Sequence, residues 1–406
     1  MPLLLSHPAP EAPLSGRRID LDWIRVSVFG LLIVYHIGMV YVSWSFHVKS
    51  THILPGLEPL MLLVNPWRLG LLFLVSGVAT RYMASRIQPG ALTKMRSSRL
   101  LLPLLAAMIV VVPPQAYLQA MQQAGYTGSF AEFYLGPYFR LGKHFCNPGP
   151  CIILPTYNHL WFVLYLWVYT MLAVAFLWGA PRLLARLEQA LRRDVTPWAL
   201  LVLPALYMIV CRWWLQPRFP QSHALVDDWY NHAEYFALFA VGFLAAGSPS
   251  IWRGIERARW AALIIAALAY AVFITARQMG ADFPLAGTTA GGVLRWALYG
   301  LYQWAAIVAI LGFGKRWLTK DSPVLRYLTD AVFPYYIIHQ TAIIAAAFWL
   351  RDAGLPFWAE ASLVLLATVA SCALGYDLVR RFGWLRPWFG LKRLVTGAPT
   401  GAVAQA

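Results

Sequence analysis

Charged side chains are scarce in this chain: Asp, Glu, Lys and Arg supply 12% of its 406 residues, where a soluble domain carries about 25%. That leaves too little polar surface to cover a globule, and 60% hydrophobic residues with a mean hydropathy of +0.57 agree. Short alternating segments of the kind that build a transmembrane β-barrel are missing. Metal-ligand spacing is missing too, because the nine histidines are scattered among separate apolar stretches, so no metal is expected. Cysteine is rare, four in all, and Cys211 and Cys372 read as ordinary core residues of apolar stretches. Residues 1–16 lack the charge pattern of a cleaved signal peptide, and the long apolar run after Arg17 and Arg18 exceeds an h-region. It is expected to stay in the mature protein.

What the chain has in quantity is apolar stretches about 20 residues long, the length a bilayer-spanning helix needs. They predict an all-α integral membrane protein, a bundle of about ten transmembrane helices. The spans are read at 24–44, 60–82, 100–118, 160–178, 198–215, 230–246, 260–276, 293–313, 331–350 and 358–378. The net charge of +16 could suggest nucleic acid, but its distribution excludes that. Lys and Arg gather at the N-terminus, in every second loop and in the tail, and thin out in the loops between. That alternation is the mark of membrane orientation, and it predicts both termini in the cytoplasm. The implied partner is a lipid bilayer, the cytoplasmic membrane of a bacterium. Residues 119–158 form the one long loop, expected outside, with Cys146 and Cys151 flanking a Pro-Gly turn as a disulfide candidate.

Ionisable groups inside a span are costly and therefore functional candidates. In the first span Arg25 and His36 are 11 residues apart, which at about 100° per residue returns to one face, roughly 16 Å along the axis. Asp22, three residues before Arg25, is spaced to pair with it. One face thus joins a cation at the expected cytosolic mouth to a titratable imidazole deep inside. The same residues are also accounted for by Arg25 reaching the headgroups and His36 hydrogen-bonding a neighbouring helix. In the next cytoplasmic loop, Lys94, Arg96 and Arg99 stand before Pro103. Two guanidiniums three residues apart suit a polyphosphate, although positive-inside bias alone would put cations there. His339, Gln340, Tyr336, His159, Asn158 and Glu234 are further polar groups in or near spans, candidates for binding substrate or orienting His36, or simply for interhelical hydrogen bonds.

These residues resemble the membrane-bound acyltransferase family 3. Ile19-Asp-Leu-Asp22-Trp-Ile-Arg25 followed by His36 is similar to its N-terminal motif, and Arg96-Ser-Ser-Arg99-Leu before Pro103 to its R-x-x-R element. Phe73-Leu-Val-Ser76-Gly77 resembles its F-x-x-S-G segment, and Asn158-His159-Leu-Trp161-Phe162 its H-L-W-F span start. Tyr335-Tyr336-Ile-Ile-His339-Gln340 and Arg386-Pro-Trp-Phe-Gly390-Leu-Lys392 look most like the glucan succinyltransferase branch. The likeness runs from about Arg17 to Arg393.

The resemblance implies an acyl-CoA-dependent O-acyltransferase that moves succinyl or acetyl from cytoplasmic acyl-CoA to a carbohydrate hydroxyl, with no permanently bound cofactor. His36 and Arg25 would be the catalytic residues, His36 as general base or as a transient carrier of the acyl group. Arg25, Lys94, Arg96 and Arg99 would meet the CoA phosphates, and Arg295, charged within the eighth span, would meet a succinyl carboxylate; Arg68, toward the external side, is a second choice. Residues 1–18 then form an N-terminal segment, 19–393 the transmembrane domain and 394–406 a tail. The rival class is a glycan or lipid transporter or flippase, which needs no CoA and gives Arg25 and His36 no common purpose.

Overall fold

The computed structural model describes residues 14, 16–145, 151–193 and 195–393. In chain order it runs α1 (Ile19–Tyr41), α2 (Glu58–Ala84), α3 (Pro89–Val110), α4 (Pro113–Ala124) and α5 (Phe130–Leu135). A hairpin follows, β1 (Gly142–Phe145) and β2 (Ile152–Leu154), and then α6 (Trp161–Gly179), α7 (Pro181–Arg192), α8 (Pro197–Trp214) and α9 (Trp229–Ala245). The last four helices are α10 (Pro249–Met279), α11 (Thr289–Trp317), α12 (Pro323–Leu350) and α13 (Phe357–Arg381).

Among the described residues eight helices are long and apolar enough to cross a bilayer, and α3 with α4 makes a ninth, bent by 44°. The protein is therefore a multi-pass helical membrane protein. The bend falls where sequence reading expected one straight span over 100–118. Pro113 and Pro114 supply no backbone N–H, so the helix cannot run through them, and Pro113 instead starts α4. The expected span at 230–246 is α9, which has 17 residues. At 1.5 Å per residue it is about 25 Å long, short of a hydrocarbon core of about 30 Å.

The helices divide into two compact units, with α1, α2, α3 and α6 contributing to both. In the first unit (residues up to 25, 65–95 and 168–321), α10 packs along α11 and α8 packs against both. Here α2 and α9 touch backbone to backbone. A Cβ on Gly77 would overlap the carbonyl oxygen of Phe239, and one on Gly242 would overlap that of Leu74. Small residues permit this approach in lipid, where packing rather than water exclusion draws helices together. Phe73, one turn before Gly77, stacks on Tyr235 of α9 with ring centroids 5.0 Å apart. In the same unit Arg81 of α2 grips Glu188 of α7 through two hydrogen bonds of 2.6 and 3.0 Å, both side chains buried.

In the second unit (26–64, 96–167 and 322 onward), α12 packs along α13 and against α4. The expected long loop at 119–158 is largely folded. α4 reaches Ala124, and α5 opens on a reciprocal capping box of Ser129 and Glu132. In the antiparallel hairpin Gly142 faces Leu154 and Phe145 faces Ile152. Phe133 and Tyr138 fill a small core with Ala116, Ala120, Ile152 and Leu154, which explains the many aromatics in this stretch. Cys151 is disulfide-bonded; Cys146, the partner expected for it, lies outside the described residues. Gly390, in a left-handed turn after Arg386–Phe389, lies so close to the Phe333 ring that a Cβ would collide with it.

Candidate active site

Three histidines converge in the second unit. His36, near the end of α1, has its Nδ1 2.9 Å from Nε2 of His339 on α12. The two rings are nearly coplanar, 8° apart, with centroids 5.1 Å from each other, so they meet edge to edge as a linear N–H···N bond requires. His339 in turn has its Nδ1 2.8 Å from the carbonyl oxygen of Tyr336. A carbonyl only accepts, so His339 Nδ1 carries the proton. If His339 is neutral, its Nε2 is an acceptor and His36 Nδ1 must donate to it. The lone pair of neutral His36 is then on Nε2. The chain of bonds selects one tautomer of His36, in the way the carboxylate orients the base of a hydrolase triad.

Aromatic rings pack against this pair. His339 is fully buried. Phe29 meets His339 edge to face, with centroids 5.7 Å apart, and Phe46 lies over His36 at 6.2 Å. His159, at the start of α6, donates from Nε2 to the same Tyr336 carbonyl at 3.0 Å, and the Tyr336 hydroxyl donates back to the His159 carbonyl. Its Nδ1, an acceptor in this tautomer, is buried and meets no donor among the described residues. Asn158 takes a left-handed backbone (φ 42°), a conformation asparagine tolerates, in the short turn that leads into α6. Its amide donates to Gln115 Oε1 at 3.0 Å, and Gln340 donates to the same oxygen at 3.3 Å. Gln115 passes the chain on to Thr341 at 2.6 Å. Outside the spans, the Lys49 ammonium donates to the carbonyls of Met39 and Trp44 at 2.6 and 3.1 Å and also to that of Val42, closing off the end of α1. Burial pulls Lys49 down to about 8, while the Glu58 carboxylate opposes the shift. Burial likewise lowers His47, with its bond to Gln119 opposing.

Of the further polar groups named from sequence, His339, Tyr336 and His159 are hydrogen-bonded in one set with His36, while Asn158 and Gln340 belong to a second set around Gln115. Gln115, Thr341 and Phe29 were missed; a glutamine directly after Pro113-Pro114 in an apolar stretch was the available signal for the first. Arg25 pairs with Asp22 at 3.4 Å, as its spacing suggested, and Asp22 also takes Arg17 at 2.8 Å. Arg96 and Arg99 are half-buried on α3 and Lys94 is exposed. Between the arginines, Ser97 accepts a bond from the Trp167 indole at 3.0 Å, and Asp330 acts electrostatically on Arg99. Glu234 belongs to the first unit and to neither set. It is buried, and its two oxygens accept from Tyr230 and, at 2.5 Å, from Gln303. Arg68 is buried and donates to Asn65 at 2.5 Å, and Arg295 is exposed on α11.

The family comparison agrees with this chemistry: the acyltransferase domain of acyltransferase family 3 matches residues 18–377, and the chain belongs to that family. It is an acyltransferase of the membrane. Among curated proteins it is similar to glucans biosynthesis protein C of Shigella dysenteriae serotype 1, 22% identical over 390 residues covering 93% of this chain and 96% of that one. The protein of the same name from Escherichia coli K12 is 21% identical over the same coverage. No solved structure matches the chain.

Proposed function

We propose that this protein is an O-acyltransferase of the bacterial inner membrane. It takes a succinyl or acetyl group from cytoplasmic acyl-CoA and transfers it to a hydroxyl of a periplasmic or cell-surface glycan. The observation that carries this reading is the His36–His339–Tyr336 hydrogen-bond chain, because it leaves the lone pair of His36 on Nε2, where a base needs it. A glucan is the first acceptor to test, since the similar curated proteins bear that word in their name.

In the proposed step His36 Nε2 removes the proton from the acceptor hydroxyl. Its oxygen attacks the thioester carbonyl, the C–O bond forms and the C–S bond breaks. The proton on His36 then passes to the departing sulfur, so base and acid are the same imidazole. Arg25, Lys94, Arg96 and Arg99 serve the CoA phosphates, which guanidiniums bind in bidentate fashion. His159, Asn158, Gln340 and Tyr336 serve the acceptor, and Arg295 a succinyl carboxylate. Both termini are cytoplasmic in this scheme, which puts the arginines on the side where acyl-CoA is made. A transporter would leave the tautomer-selecting chain without a use.

The test is purified protein in nanodiscs with radiolabelled succinyl-CoA or acetyl-CoA and a glucan acceptor. Label on the glucan supports the reading and names the donor. Label retained on the protein replaces direct transfer by a covalent intermediate. No binding of either donor would overturn it.

A further inference from the structure

α7 connects two membrane spans with only Ala180 before it and residues 193–196 after it. Such short tethers hold it at the level of the span ends. Trp178, in the last turn of α6, and Trp198, in the first turn of α8, are both largely exposed there, and exposed tryptophan at span ends marks the lipid interface. At about 100° per residue the helix sorts into three stripes. Leu184 and Glu188 are buried, and Glu188 is fastened to Arg81 of α2. Leu183 and Leu187 form a second stripe, 49% and 37% exposed. Arg182 and Arg186 form the third, and Arg193, in extended backbone directly after the helix, is exposed as they are.

An exposed leucine stripe beside an exposed arginine stripe has no use in water, and it fits a helix lying in the headgroup region. We infer that α7 is a binding site for anionic phospholipid: Leu183 and Leu187 enter the acyl boundary while Arg182, Arg186 and Arg193 hold headgroup phosphates. The Arg81–Glu188 pair keeps the buried stripe turned inward, so the other two face lipid. The charge decides between lipids, because a zwitterionic headgroup sets a cationic amine beside its phosphate and leaves no net charge for three guanidiniums to balance. This site is independent of the acyl-transfer chemistry.

The full-length protein, labelled with bimane at Leu187→Cys, would be reconstituted in nanodiscs of phosphatidylcholine with phosphatidylglycerol. One of the two lipids carries bromine on its acyl chains in each sample. Brominated phosphatidylglycerol is expected to quench at least about fivefold more effectively, mole for mole, than brominated phosphatidylcholine. Replacing Arg182, Arg186 and Arg193 together by Gln should bring the two lipids level, and replacement by Lys should preserve most of the preference. An unchanged thermal midpoint in both variants guards against misfolding. Equal quenching in the unsubstituted protein, a preference untouched by the Gln changes, or no quenching by either lipid would overturn the site.

Discussion

An isolated neutral imidazole has two tautomers, and only one presents its lone pair to a given substrate. A neutral His339 removes that choice for His36, since its own Nδ1 is committed to the Tyr336 carbonyl. His36→Ala is expected to lower acyl transfer by about 10²–10⁴-fold with membrane insertion intact; a rate near wild type would take His36 out of the mechanism. For His339 the informative comparison is Leu against Gln. His339→Leu should cut kcat at least about 10²-fold and leave the KM for acyl-CoA unchanged, because the wrong tautomer of a well-placed base costs that much or more. His339→Gln, whose amide oxygen can accept the His36 proton, should recover part of the loss; equal loss in both would reduce His339 to packing. The His36 half of this pair was legible in the sequence from the 11-residue spacing to Arg25. Its partner was not, because 303 residues separate them and no local period links α1 to α12. Glu234 shows the reverse. It was conspicuous in sequence as a carboxylate within a span, and its two oxygens are taken up by neutral donors of its own unit.

At the scale of elements, some motifs hold helices together and others are proposed to serve the chemistry. Phe73 and Gly77 belong to the first kind, since one stacks on α9 and the other lets its backbone approach. Gly77→Val should therefore push α2 from α9 and lower stability by about 1–3 kcal/mol or more. A thermal midpoint in detergent equal to that of the unsubstituted protein would contradict the contact. Lys49 does comparable work for α1 from outside the helix, through three carbonyls at its end. The proposed function assigns Arg96 and Arg99 to chemistry. Arg96→Ala with Arg99→Ala is expected to weaken acyl-CoA binding at least about tenfold, the loss of one good charged hydrogen bond; unchanged affinity by calorimetry would return both residues to topology. Helix existence was easy to read, because apolar length alone decides it. The bend at Pro113, the short α9 and the folded 119–158 region were harder. They depend on where a proline pair falls and on aromatics packing across a chain reversal, neither of which a hydropathy window sees.

For the whole molecule, the charge bias and the family membership bear on different questions. Apolar helices and the acyltransferase domain make it a membrane acyltransferase. The alternation of Lys and Arg between loops bears on which side meets the donor, and so on whether the acyl group crosses the bilayer during transfer. Sealed vesicles of the two orientations, right-side-out and inverted, decide this. Labelled acyl-CoA would be supplied on one face only and a glucan confined to the other, with His36→Ala in parallel. Label is expected on the glucan only when acyl-CoA is on the face that was cytoplasmic, and only with His36 present. Transfer from the opposite face, or transfer undiminished in His36→Ala, would contradict it.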